Sequence, residues 1–181
     1  MRVPTQIECE RLMSEMDMLD HIVDHSRQVC RVAVLLVEGL REGGLRLNAE
    51  LVQAAALLHD ITKTRSFSTR ENHAATGADF LSDRGFPEVG RIVAQHVTLK
   101  NYPEAASPIE AEIVNYADKR VLHDRIVSLD ERMDYILERY GRLPEHRERI
   151  RWLWRQSTRL EARIFSLLAF PPGMLASLLR Q

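Results

Sequence analysis

His59 and Asp60, adjacent in the segment LLHDITK, pair an imidazole with a carboxylate, and further residues of the same two types recur at His25, His73, His96 and Asp118. Imidazole nitrogen and carboxylate oxygen together suit divalent transition metal ions such as Fe, Mn, Co, Ni or Zn. Missing sulfur ligands argue against a closed structural zinc site, and the number of histidines disfavours an all-oxygen Mg or Ca site. The two cysteines, Cys9 and Cys30, lack CxxC spacing and suggest neither a thiolate cluster nor a disulfide framework. Each of four candidates interrupts an apolar pattern. His25 shares a face with Ile22, Val29 and Val32; His59 follows Ala55 and Leu58; His96 continues Val89, Ile92 and Val93; Asp118 lies among Ile113, Val114, Ala117 and Val121. Burying such groups unpaired is costly, so they call for partners or a metal. One core histidine is most often bonded to a backbone carbonyl; four inward groups together favour a shared ligand. His59 and Asp60 point about 100° apart on a helix, so both reach one site only where helix ends converge.

Apolar residues recur at helical spacing almost throughout, and the expected fold class is all-α. Helices are expected over 7–19, then 20–41 ending at Gly43 and Gly44, and next from the Asn48 cap to Ile61. The polar segment 62–71 leads to Asn72, the cap of a helix over 73–84 that stops at Gly85. Pro87 opens the next, which reaches Leu99. Residues 100–107 read as a turn-rich connection. Ser107, Pro108, Ile109 and Glu110 read as a capping box that starts a helix bearing Asp118 on its inner face. Two more helices are expected over 130–140 and 145–168.

At 181 residues and 20.9 kDa the chain is read as a single domain, 1–181, with a metal-binding core over about 20–125 and a C-terminal helical extension over about 126–181. Lys and Arg total 25 against 26 Asp and Glu, a net charge of -1 that gives nucleic-acid binding no global support. No secretion-type apolar region and no run of about 18 apolar residues occurs, which points to a cytoplasmic protein with no membrane partner.

The ordered set His25, His59 with Asp60, His73, His96 and Asp118 resembles the HD-domain metal-dependent phosphohydrolases, in their histidine-rich dinuclear subgroup. The resemblance covers about residues 20–125 and implies an HD-domain helical bundle with additional C-terminal helices. It also implies two divalent ions, one held by His25, His59, Asp60 and Asp118, the other by His73, His96 and a bridging Asp60. The reaction it implies is hydrolysis of a phosphoester or phosphoanhydride of a nucleotide-like substrate by a metal-activated water. Asp60, Lys63 and Asp118 would carry the catalysis, with Lys63 set to pair with a phosphate oxygen. HDITK and the Ala117, Asp118, Lys119 triplet resemble the symmetrical diadenosine tetraphosphate hydrolases. Departures from other branches are the missing HDxxED and GYP motifs and Thr62 in place of the glycine of HDIG.

Arg65, Lys119 and Arg120 are further candidates for phosphate contacts, although cations flank most helix ends without function. His21, four residues before His25, is expected outside the ligand set. The arginine-rich stretch 139–163, with Trp152 and Trp154, reads mainly as a helix with one buried and one solvated face. The apolar C-terminal segment is expected on the core or on a second subunit, the route to a homo-oligomer. Segments 62–72 and 99–108 and the C-terminal helices are expected to set specificity. Two other classes remain open on sequence: an HD-fold di-iron oxygenase, and a non-catalytic metal-binding regulatory domain.

Overall fold

The computed structural model describes residues 1–100 and 107–180. Four of its helices start where a short polar side chain, Thr5, Asn48, Asn72 or Ser128, satisfies backbone N–H groups that the first turn leaves free. In α1 (Gln6–Glu15) Thr5 Oγ1 accepts from Glu8 N–H while the Glu8 carboxylate accepts from Thr5 N–H, a complete capping box. Helix α2 (Asp20–Glu42) runs a buried stripe through Ile22, His25, Val29, Val32, Leu36 and Leu40, and stops at Gly43. Asn48 caps α3 (Ala49–Leu58), whose buried residues from Leu51 to Leu58 include Ala54, Ala55 and Ala56; it packs against α2 and forms the centre of the molecule.

Asn72 likewise caps α5 (His73–Asp83), which packs along α6 (Pro87–Val93). Gly90 permits that closeness, because a Cβ there would stand 2.6 Å from the carbonyl oxygen of Ala78. Helix α7 (Glu110–Lys119) crosses α2 and α3. Then follow a two-stranded hairpin of β1 (Val121–Leu122) and β2 (Arg125–Ile126), α8 (Leu129–Tyr140), α9 (Pro144–Phe165), a 3-10 turn over Pro172–Met174 and α10 (Leu175–Leu178). The all-α expectation holds, with this hairpin as the only sheet among the described residues. Leu160, Ile164 and Leu175 belong to the same buried cluster as Leu36 and Val114, and Leu168, Phe170 and Leu179 pack against it. The apolar C-terminal segment therefore covers the chain's own core. No helix among the described residues is long and apolar enough to cross a membrane.

Several boundaries differ from expectation. Segment 63–69, expected as loop, is helix α4 (Lys63–Thr69); none of its side chains is buried, so no apolar stripe announces it. Helix α3 ends at Leu58, short of 61, and α6 at Val93, short of 99. The latter stop has a cause: the Asn115 amide donates to the carbonyls of Gln95 and His96, and Lys119 Nζ to that of His96, which holds this stretch in a turn. Ser107 does not cap α7. Its first turn is closed by Glu112, whose carboxylate accepts from Ile109 N–H at 3.0 Å. Most of the connection expected over 100–107 lies outside the described residues, as do 101–106 of the proposed specificity segment.

Candidate metal centre

Five elements end or cross at one point and deliver the six residues singled out by type and spacing. His25 comes from the second turn of α2, His59 caps the C-terminus of α3, and Asp60 follows in the turn. His73 opens α5, His96 lies in the turn after α6, and Asp118 is in the last turn of α7. Three imidazoles are fixed from behind by backbone carbonyls: His25 Nδ1 to His123 at 2.8 Å, His59 Nδ1 to Ala56 at 2.8 Å, and His96 Nδ1 to Val93 at 2.7 Å. A carbonyl only accepts, so each Nδ1 is the donor and each Nε2 is turned to the centre, where without a proton it offers a lone pair to an ion. The carbonyl serving His25 is held in position by the hairpin turn, where His123 takes φ 57, an uncommon conformation for a non-glycine residue. Thr62, standing where the HDIG pattern has glycine, donates to the His73 carbonyl at 2.8 Å and so ties the start of α5 to the His59 turn.

The Nε2 atoms meet carboxylate oxygens. His25 Nε2 is 3.1 Å and His59 Nε2 3.8 Å from Asp118 Oδ1; His59 Nε2 is 3.3 Å from Asp60 Oδ2. On the other side Asp60 Oδ1 stands 3.3 Å from His73 Nε2 and 3.4 Å from His96 Nε2. Two triads result, His25 with His59 and Asp118, and His73 with His96 and Asp60, and within each the donor atoms lie within 4.8 Å of one another. Asp60 joins them, one oxygen toward each. His59 Nε2 and Asp60 Oδ1 are buried with no hydrogen-bond partner. Lone pairs aimed at one another and at carboxylates repel unless a cation or proton lies between them, so this donor set fits divalent ions. The backbone bonds behind the rings are the supports that metal-ligating histidines need.

Lys63 reaches the centre, with Nζ 2.7 Å from Asp60 Oδ2. Burial pushes the Asp60 carboxyl up, but His59 and Lys63 outweigh it and hold it well below the usual carboxylate range. Burial pushes the Asp118 carboxyl up as well, but the nearby His25 and His59 imidazoles and the Arg132 guanidinium outweigh it and hold it well below the usual range. For Lys63 burial works against the charge, yet Asp60 and Asp118 prevail and raise its pKa.

The other cations proposed from sequence go elsewhere. Arg65 is exposed and pairs with Glu71 at 2.7 Å. Lys119 is buried against the His96 and Asn115 carbonyls and Asn115 Oδ1, where burial pulls its pKa down to about 8. Arg120 bonds to Val127, Tyr116, Glu161 and Pro172. Successive helix residues point about 100° apart, so turning Asp118 inward turns these two away. His21 is exposed. Sequence reasoning missed Arg132 of α8, whose Nη2 is 4.0 Å from Asp118 Oδ1; an arginine among other charged residues of a helix carries no distinguishing signal. It missed Asn115 as well.

A family model described as HD domain matches residues 22–121. A tRNA (cytidine(56)-2'-O)-methyltransferase of Picrophilus torridus is 30% identical over 73% of this chain and 40% of its own length. An uncharacterized protein of Methanocaldococcus jannaschii is 26% identical over 75% of this chain and 88% of its own. A dihydroneopterin 2',3'-cyclic phosphate phosphodiesterase of the same organism is 32% identical over 54% and 45%. The chain thus spans less than half of two of these relatives. No solved structure matches it.

Proposed function

The chain belongs to the HD domain family, and from that premise we propose that it is a metal-dependent phosphohydrolase cleaving a phosphoester or phosphoanhydride of a small, nucleotide-like substrate. The observation that carries this reading is the pair of triads joined by Asp60, a member of one and 3.3 Å from His59 of the other, with His59 Nε2 and Asp60 Oδ1 left without partners. His25, His59 and Asp118, with one oxygen of Asp60, would hold one divalent ion; His73, His96 and the other oxygen of Asp60 would hold the second. Divalent ions there supply Lewis acidity, which acidifies water and stabilises negative charge on phosphoryl oxygens.

The chain's own groups do the rest. Asp60 sets the spacing of the two halves. Asp118, whose carboxyl is held low, is a poor proton acceptor near neutrality and acts as ligand and as acceptor orienting the attacking water. Lys63, about one third exposed, brings a positive charge to the open side of the centre, where a phosphate oxygen can pair with it. A small phosphorylated heterocycle as substrate is supported by the name of the phosphodiesterase relative. Dinucleoside polyphosphates are supported by HDITK and the Ala117, Asp118, Lys119 triplet.

The extension over 126–181 belongs to the same domain in this reading, since its apolar residues join the common core. A homo-oligomer would use Leu167 and Met174, which the C-terminal segment leaves exposed; sedimentation at micromolar concentration reads it. The test of activity is phosphate and nucleotide release from cyclic nucleotides, nucleotides and dinucleoside polyphosphates with Mn, Co, Ni, Fe or Mg added separately under anaerobic conditions. Release by the wild type and none by Asp60→Ala is the expected result. No release with any metal overturns the reading in favour of an iron oxygenase or a non-catalytic domain, which oxygen consumption separates.

A further inference from the structure

Helix α8 lies outside the segment 22–121 that the family model matches, yet it sends Arg132 to the rim of the metal centre. The side chain is 16% exposed and its Nη2 stands 4.0 Å from Asp118 Oδ1, too far for a hydrogen bond. Its Nε is shut off from solvent with no partner, and among the described residues the guanidinium makes no hydrogen bond. Leaving Nε shut off and unbonded is costly, because that donor has given up water without replacement, while the two Nη groups stay open to a ligand at the rim. Arg120 shows what a structural arginine looks like in this fold, with bonds to four different residues. Lys63, the other cation at the rim, is already engaged by Asp60 at 2.7 Å, whereas the donors of Arg132 remain available.

We propose that Arg132 is a second oxyanion-binding residue of this centre beside Lys63, taking two oxygens of a tetrahedral phosphoryl group in its planar fork. The proposal rests on the phosphohydrolase reading and adds that the extension, beside Lys63 of the shared family segment, contributes to the grip on the anion. Arg132 belongs to the binding of substrate and leaves the metal ligands unchanged.

The experiment is calorimetric titration of the metal-loaded protein with inorganic phosphate, alongside metal content and melting temperature. For Arg132→Ala the dissociation constant for phosphate rises about ten- to a hundredfold, with metal content and melting temperature unchanged; Arg132→Lys recovers part of the loss. An unchanged phosphate affinity in Arg132→Ala overturns the proposal. So does a fall in metal content in both variants, which would make the arginine a support for Asp118. If the wild type binds phosphate through Arg132 yet hydrolyses nothing, the oxyanion site stands and the phosphohydrolase reading fails; if it hydrolyses and Arg132→Ala matches its phosphate affinity, the reverse holds.

Discussion

Two clusters of buried polar side chains lie on opposite sides of α7, and they differ in what they leave unbonded. On one side Tyr116, Arg120 and Glu161 close a network with the carbonyls of Val127 and Pro172, and the buried guanidinium of Arg120 finds acceptors for each of its nitrogens. On the other side His25, His59, Asp60, His73, His96 and Asp118 bring lone pairs face to face, and His59 Nε2 and Asp60 Oδ1 have no partner. A network satisfied by the chain needs nothing more and serves the fold. One satisfied only in part is unfavourable by itself and makes sense with something bound between its members. Burial alone does not separate structural from functional polar residues here; the hydrogen-bond inventory does.

Substitution at the joint of the unsatisfied cluster should break the comparison most visibly. Asp60→Ala removes the carboxylate that faces both triads, and turnover should fall at least about a thousandfold, a scale common for the loss of one essential electrostatic group. Metal content measured on the purified variant should fall with it. Turnover within tenfold of wild type would remove Asp60 from the centre. In the satisfied cluster the loss should appear as stability instead. Arg120→Ala leaves Tyr116 and Glu161 without their cation and should cost about 3 kcal/mol, the lower end for a broken buried pair because Glu161 is 22% exposed. Urea unfolding measures that cost, and metal content should stay at the wild-type level. A variant that unfolds normally but loses metal would show that the two clusters are one.

What the sequence allowed one to read follows the same division. The inward placement of His25, His59, His96 and Asp118 was legible because each interrupts an apolar stripe at helical spacing, and burial in a helix follows that period. His73 was legible by its cap, since Asn72 marks the start of α5 whatever surrounds it. Lys119 and Arg120, candidates for phosphate contacts but read mainly as surface cations, are instead buried and bonded within the chain, because nearness in sequence to Asp118 says nothing about direction, which the 100° step per residue changes. Arg132 was invisible because its place beside Asp118 depends on how α8 packs back across α7, a long-range fact with no local signature. The hairpin at 121–126 escaped for a simpler reason: two residues per strand are too few to show a period of two. Helix α4 escaped because it buries no face.

Metal addition should sharpen the contrast at a somewhat smaller scale. An ion that binds only the folded state stabilises it by about 2.7 kcal/mol at a hundredfold excess over its dissociation constant. Adding Mn or Fe to chelator-treated protein should therefore raise the melting temperature. The gain should vanish in Asp60→Ala and persist in Arg120→Ala, which starts lower but keeps the donors. Stabilisation of Asp60→Ala equal to that of wild type would place the ion elsewhere.

The two cysteines give a reporter that belongs to neither cluster. Burial is the leading cause that pushes the Cys9 thiol up to about 12 and the Cys30 thiol up to about 11, from an ordinary value of 9.0. A group whose pKa is raised by folding holds its proton in the native state after the unfolded chain has released it. Stability is therefore full below pH 9 and falls as pH rises toward 11, by up to about 1.4 kcal/mol per pH unit for each thiol. Replacing both cysteines with alanine should flatten this part of the alkaline stability curve while leaving metal content and the effect of Arg120→Ala unchanged, as measured by urea midpoints between pH 8 and 11. A curve that keeps its slope without the thiols would trace the alkaline loss to another group, and the first to test would be Tyr116 of the satisfied cluster, whose phenol burial also drives upward.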